Sequence, residues 1–473
     1  MSKFYITNSI PYVNAEPHIG HALEFIQSDV INRYQRLLGK NVYYLCGSDE
    51  NAIKNVQAAE KAGKPIQEFI DQHAGEFQKL AEKLNIHFDV FQKGSSENHH
   101  KASQKLWDLC NKSGDIYKKA YTGLYCVGCE EFKTKSELND KGECNEHPGK
   151  QLEEVAEENY FFRLSKYQDF LLKLIASNEY QIVPDFRKNE IIAFIKSGLE
   201  DFSISRSNQR AKNWGVPIPG DPTQRIYVWF DALNIYQSGI GFGSDEKTYE
   251  KWWPADLHVV GKGIIRFHAV YWPAILHSAG LATPKKLFVH EYFTVNGQKM
   301  SKTLGNVVNP LDMIERYGTD ALRYYCLAKI SPFQDGDFSE EKLKEAYNSD
   351  LANGLGNLVA RVAKLAENND YNANTSNPEI SQTVRAFLES FEFNRALEAI
   401  WLIVKEADQY INEKEPWKLS EKEEISNILH TSIDLIKTIG VNLQPFLPET
   451  AEKILTQFSG EITSNTPLFP RIS

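Results

Sequence analysis

Two pairs of residues, far apart in the chain, have the types and the spacing to act on a triphosphate. The first is His18 and His21, three positions apart, with Gly20 between them. On the opening turn of a helix both rings lie on one side. Such a turn offers free N–H groups and a partial positive charge to a phosphate. The imidazoles can donate to phosphoryl oxygens as charge develops there, and Gly20 lets a phosphate or a base approach the backbone. The second pair is Lys299 and Lys302, also three apart, beside Ser301. Two ammonium groups on a polar loop can neutralise a departing pyrophosphate. Taken singly, the first pair reads equally as two ordinary histidines and the second as an exposed basic loop. A third group is Cys126, Cys129, Cys144 and His147. The spacing Cys-x-x-Cys, then Cys-x-x-His, suits four ligands around one structural zinc ion, with no position left for a reactive water. A redox Cys-x-x-Cys or unligated thiols are the other readings.

These residues need elements to hold them. Residues 3–10 are β-prone, and a helix follows over about 18–38, with Leu23, Ile26, Val30, Tyr34 and Leu37 on one stripe and Gly39 as its stop. A second strand covers 41–46. The order strand, helix, strand predicts a parallel sheet with ligand groups at the strand C-termini, and it sets His18 and His21 on a β-to-α crossover. Residues 116–221, which hold the cysteine group, read as an insertion into the sheet domain. The sheet is expected to resume at 225–230, 257–261 and 286–290, and Lys299 follows the last of these and an Asn296-Gly297 turn. Beyond Asn309 the apolar spacing is helical over 355–365, 383–403 and 425–443, with a final helix near 449–458, a bundle. The expected organisation is α/β: a parallel-sheet domain in two halves (1–115 and 222–308), the insertion (116–221), a linker region (309–350) and a helical bundle (351–473).

Composition narrows the class. The chain has 473 residues, of which 26 are Phe, 22 Tyr and 8 Trp, too aromatic for a disordered protein. A net charge of −10 argues against a uniformly basic nucleic-acid binder but not against a local basic surface. Arg206, Arg210 and Lys212 form a short run with no acid between them; alone, such a run reads as a solvated face. No apolar stretch reaches membrane-spanning length and no leader peptide is evident, so a cytoplasmic protein is expected, with cysteines serving a metal rather than disulfides.

His18-Ile19-Gly20-His21 resembles the first signature of the class I aminoacyl-tRNA synthetases. Lys299-Met300-Ser301-Lys302-Thr303 resembles the second, with Thr303 in place of a serine. Asn8 through Asn14, Val228 through Tyr236, the zinc pattern and Glu415-Pro416-Trp417 narrow the likeness to the methionyl-tRNA synthetases, from residue 4 to about 458. The resemblance implies a Rossmann-like sheet domain interrupted by a zinc-binding insertion, followed by an anticodon-binding bundle. It implies ligation of methionine to tRNA(Met), elongator and initiator, through a methionyl-adenylate, using ATP with Mg2+ and one structural Zn2+. His18, His21, Lys299 and Lys302 would be catalytic, and with Gly20, Glu24, Gly261 and Ser301 would hold ATP. Asp49 would take the methionine ammonium. Ser9, Ile10, Tyr12, Trp229, Ala232, Leu233, Tyr236, Ile264 and His268 would surround the rest of the amino acid, aromatic rings suiting a thioether. Asn357, Arg361, Pro416 and Trp417 would read the anticodon.

Because the chain ends soon after the bundle, a monomer is expected. Three departures stand out: Asn51-Ala52 for His-Gly, Gly263 for Asp, and Glu291 for Gly. The second removes a carboxylate suited to the ATP ribose, for which Glu24 and Glu291 are candidate replacements. A sister enzyme for leucine, isoleucine or valine would need a larger editing insertion. A non-catalytic tRNA-binding paralogue would not need both histidines and both lysines. A nucleotidyltransferase on this fold would not need the bundle.

Overall fold

A computed structural model describes residues 2–126, 128, 131–133, 138–145, 149, 151–300, 305–373 and 378–472, with Glu131 and Lys299 described by backbone alone. Its centre is a six-stranded sheet in the order Val90–Lys93, Asn41–Ser48, Lys3–Asn8, Leu257–Gly261, Lys286–His290, Gln181–Val183. Every pairing is parallel. Such strands are buried on both faces, which explains their near-continuous apolar runs. The strand Lys3–Asn8 pairs with Asn41–Ser48 on one side (Tyr5 opposite Tyr43) and with Leu257–Gly261 on the other (Thr7 opposite His258). The chain thus leaves its first strand in both directions, and a crevice opens beyond the strand ends at that switch point.

The helix Ile19–Leu37 begins at this crevice, one residue after His18. It ends where expected: Gly39 takes φ +74° and its N–H closes on the Arg36 carbonyl, a conformation that costs other residues a Cβ clash.

Three expectations are corrected. The region 116–221 is not one separate unit. It supplies an antiparallel sheet (Ile116–Cys126, Glu131–Lys133, Glu153–Phe162, Phe202–Ser203), but its segment Gln181–Val183 joins the edge of the central sheet beside Lys286–His290. Residues 225–230 are not a strand of that sheet. Asp221–Ile226 pairs antiparallel with Ser205–Ser207 and Pro217–Ile218, and the chain then turns into the short helix Val228–Ala232. The helix expected over 383–403 is two, Gln382–Glu389 and Phe393–Lys414, parted at Phe391 with φ +62°.

The helices beyond residue 309 share a core with the sheet domain. One apolar cluster runs from Ile6 and Phe25 through Leu322 and Leu397 to Phe458 and Phe469. Arg323, fully buried on the helix Thr319–Ala328, pins the join. It ion-pairs with Asp29 of Ile19–Leu37 at 2.9 Å and donates to the carbonyls of Leu84, Pro445 and Phe446. Among the described residues, no helix is long and apolar enough to cross a membrane.

Candidate active site

Beyond the strand ends lies a cavity of about 400 Å³. Its floor at the switch point comes from the loops that leave three strands: Ser9, Ile10 and Tyr12 after the first, Asp49 after the second, Gly261 and Ile264 after Leu257–Gly261. One wall is the first turn of Ile19–Leu37, with His18, Gly20, His21 and Glu24.

His18 caps this helix through its own ring: Nδ1 accepts from the Gly20 N–H at 3.1 Å, and Nδ1 of His21 accepts from the His18 N–H at 3.1 Å. Each ring therefore spends its acceptor nitrogen on the backbone, and in the neutral form Nε2 carries the proton as a donor. The two rings stack with centroids 3.8 Å apart. Burial, and the neighbouring His18, hold His21 well below the ordinary imidazole range, so it is a neutral donor at pH 7. A side chain on Gly20 would crowd the His18 ring at 3.0 Å.

The opposite wall is apolar and aromatic. Trp229 lies flat on Phe267, with ring centroids 3.7 Å apart, and meets Tyr12 edge-on. Ala232, Leu233 and Tyr236 follow along the same segment and line the cavity with it. His268 completes this end. Its Nδ1 faces the Ile264 carbonyl at 3.0 Å, which can only accept, so that nitrogen holds the proton and Nε2 accepts from the Tyr236 hydroxyl at 2.8 Å. Burial drives His268 down to about 4, against the opposing pull of that carbonyl bond. Asp49, buried, sits between the two ends and pairs its backbone with the turn at Pro11 and Tyr12.

The hairpin of the second signature reaches the same cavity. Asn296 and Gly297 both have positive φ (50° and 73°), the turn that matches strand twist, and set Thr294 opposite Lys299. Met300, next in the chain, lines the cavity, its Cε 3.5 Å from the position of a Cβ on Gly20. The side chain of Lys299 and the whole of Ser301 and Lys302 lie outside the described residues.

The candidate ribose acceptors are already engaged. Glu24 accepts from the Ser9 N–H at 2.8 Å and from its hydroxyl, and its other oxygen meets Nε2 of His290 at 2.8 Å. Glu291 pairs with Arg187 at 2.9 Å and Lys262 at 2.9 Å. His290, Glu291 and Tyr292 line the cavity, although the sequence reading gave His290 and Tyr292 no role. The signal was local: both flank the substituted Glu291. Tyr292 also explains Gly263. Its hydroxyl accepts from the Gly263 N–H at 2.7 Å, and a Cβ at 263 would stand 2.4 Å from that oxygen.

Two further groups stand apart. Asn357 and Arg361 share a face of Asn357–Asn368, where Arg361 pairs with Asp408 and lies 5.6 Å over the ring of Trp417, which is 49% exposed beside a buried Pro416. Cys126 ends its strand and Cys144 bridges to Leu138; both are buried, yet among the described residues neither belongs to an apolar cluster. Cys129 and His147 lie outside the described residues.

Residues 4–363 match the family model of tRNA synthetases class I (M), and residues 364–467 that of the anticodon binding domain of methionyl tRNA ligase. The methionine--tRNA ligase of Thermotoga maritima is 41% identical, over 97% of this chain and 76% of its own. That of Rhizobium meliloti is 40% identical over 99% and 98%. The structure of Mycobacterium tuberculosis methionyl-tRNA synthetase in complex with methionyl-adenylate superposes with a TM-score of 0.93 at 37% identity, over 100% of both chains; the apo form gives 0.84.

Proposed function

The chain belongs to the methionyl branch of the class I tRNA synthetases, and on that premise we propose how its cavity works. The activity is that of a methionine–tRNA ligase: methionine is activated with ATP and passed to tRNA. The observation that carries the site reading is that one cavity is lined both by the His18–His21 turn with Met300 and by the Trp229, Tyr236 and His268 pocket.

In the first step the methionine carboxylate attacks the α-phosphorus of magnesium-bound ATP and pyrophosphate leaves. The Nε2–H groups of His18 and His21 and the helix N-terminus stabilise the charge that builds on the phosphoryl oxygens, and Lys299 and Lys302 follow the leaving group. Asp49 holds the ammonium. Trp229, Tyr12, Ala232 and Leu233 enclose the thioether, and the neutral Tyr236–His268 pair presents no charge to it. The protein positions and stabilises and forms no covalent bond of its own. In the second step a terminal ribose hydroxyl of tRNA attacks the adenylate carbonyl and AMP leaves. Asn357, Arg361, Pro416 and Trp417 recognise the anticodon, by stacking on the exposed ring and by polar contacts on the same face.

Methionine-dependent ATP–pyrophosphate exchange tests this directly. Among the twenty amino acids only methionine should support it; exchange with leucine or valine instead would move the assignment to a sister enzyme.

We propose one structural zinc ion held by Cys126, Cys129, Cys144 and His147. Two buried thiols that stand outside the apolar clusters of the described residues support it, and the metal would lock the hairpins of the insertion. Elemental analysis should find about one zinc per chain; fully active zinc-free protein would remove the proposal. One copy of the chain lines the whole cavity, and we propose a cytoplasmic monomer, to be checked by light scattering and by fractionation.

A further inference from the structure

A second cavity, of about 140 Å³, lies behind the amino-acid pocket. Tyr227 and Val228 line it, while Trp229 and Ala232 line the first. Residues that line the two cavities pack in one small cluster: Tyr227 and Val228 of the second with Ala232 of the first, and Tyr12 and Trp229 of the first against them. Among the described residues its wall carries four cations, Arg206, Arg210, Lys212 and Arg225, and one carboxylate, Glu153. The expectation of a solvated face at 206–212 fails at Arg206, which is only 7% exposed, and holds at Lys212, which is exposed.

Register makes the arrangement costly. Arg206 and Arg225 stand directly opposite each other on antiparallel strands, and like charges so placed destabilise a sheet. Arg206 lies 4.1 Å over Tyr227 and Arg210 4.0 Å over Tyr125, so both guanidiniums are held against rings. Arg210 is paired with Glu153, and Lys212 with Glu60. Arg225 has no partner among the described residues, and its Nε is buried without an acceptor. A half-buried cation in this condition calls for an anion.

We propose that this cavity receives a phosphodiester of the single-stranded 3′ end of tRNA during the transfer step, with Arg225 and Arg206 as its cations. The proposal rests on the function given above. That reaction must bring a polynucleotide end within reach of the activated carboxyl, and consecutive residues line the two sites, Tyr227 and Val228 this cavity and Trp229 the pocket proposed for methionine. The chain as a whole is acidic, so attraction of a polyanion must come from local clusters. Guanidinium forks suit phosphate oxygens two at a time. A free phosphate or pyrophosphate shares that chemistry, and the test separates it.

The test compares Arg225→Gln and Arg225→Lys in the full chain. Two rates are read: methionine-dependent exchange, and single-turnover transfer from preformed methionyl-adenylate to tRNA. In Arg225→Gln, kcat/KM for tRNA should fall at least about tenfold more than exchange does, mainly through KM, and Arg225→Lys should recover part of it. The slope of log kcat/KM against log salt should shrink by about one. A tRNA trimmed of its single-stranded 3′ end should bind both proteins alike. Transfer and exchange falling in parallel, or an unmoved tRNA KM, would overturn the proposal. So would an unmoved tRNA KM accompanied by inhibition of exchange by inorganic phosphate that Arg225→Gln abolishes, which would mark a free-anion site. Absence of methionine-dependent exchange in the unaltered protein would instead remove the function on which the proposal rests.

Discussion

The cavity at the strand ends and the one behind it share a wall but treat ionisable groups in opposite ways. In the first, His268 is buried with both ring nitrogens committed to protein partners, and His21 is partly buried with its Nδ1 accepting from the His18 N–H. Burial with partners in place selects the neutral form, and both rings are held below the ordinary imidazole range. In the second, guanidiniums that cannot lose their protons face one another across two strands. A site that handles charge only as it develops in a transition state gains from neutral donors. A surface that captures a standing charge gains from fixed cations.

The comparison can be broken at several points. The largest effect is expected from His21→Ala, which removes one neutral donor from the helix N-terminus. Methionine-dependent exchange should fall by about a hundredfold to a thousandfold, with little change in the thermal midpoint. A fall of less than fivefold would assign the phosphate contacts elsewhere. Second is acid sensitivity. His268 binds its proton more weakly folded, at about 4, than unfolded, at about 6.5. Stability is therefore full above pH 6.5 and declines as pH falls towards 4, where the folded ring itself titrates. The contribution is about 3 kcal/mol for this group. His268→Gln should lose correspondingly less between pH 7 and 4.5 in urea midpoints; an identical loss would show that the ring is not responsible.

Third, Trp229→Ala removes the ring that lies on Phe267 and closes the thioether end. The KM for methionine in exchange should rise about tenfold to fiftyfold, as for a buried aromatic contact worth roughly 2 kcal/mol, while the KM for ATP changes little. Equal changes in both would erase the division of the cavity into two ends. The smallest is Trp417→Ala, which should raise the KM for tRNA about tenfold, the value of one stacked base, and leave exchange alone. It sharpens the contrast, because a defect in tRNA use with Arg225 intact separates recognition at the bundle from recognition behind the pocket.

The sequence disclosed the cavity through local signals. His18 at a β-to-α crossover, the Gly39 stop and the Asn296-Gly297 turn each act within a few residues, so spacing and residue type were enough. The segment 225–230 misled because a run of buried β-prone residues looks the same in a strand as in a five-residue helix, too short to show a helical period. Gln181–Val183 is three residues long and takes its place in the sheet only through its partner strand. Arg206 looked solvated because the rings that cover it include Tyr125 and Phe132, which lie far outside any local window. The contact between Glu24 and His290 was hidden for the same reason: the two lie 266 positions apart.

Arg323 has a consequence for how this protein can be divided. Its guanidinium reads the first helix through Asp29 and the far end of the chain through the carbonyls of Pro445 and Phe446. Cutting the polypeptide after the sheet domain would part Arg323 from Asp29 and the Leu84 carbonyl and open a join now closed to water. Swapping the bundle between relatives should succeed only when the corner at Pro445 travels with its socket.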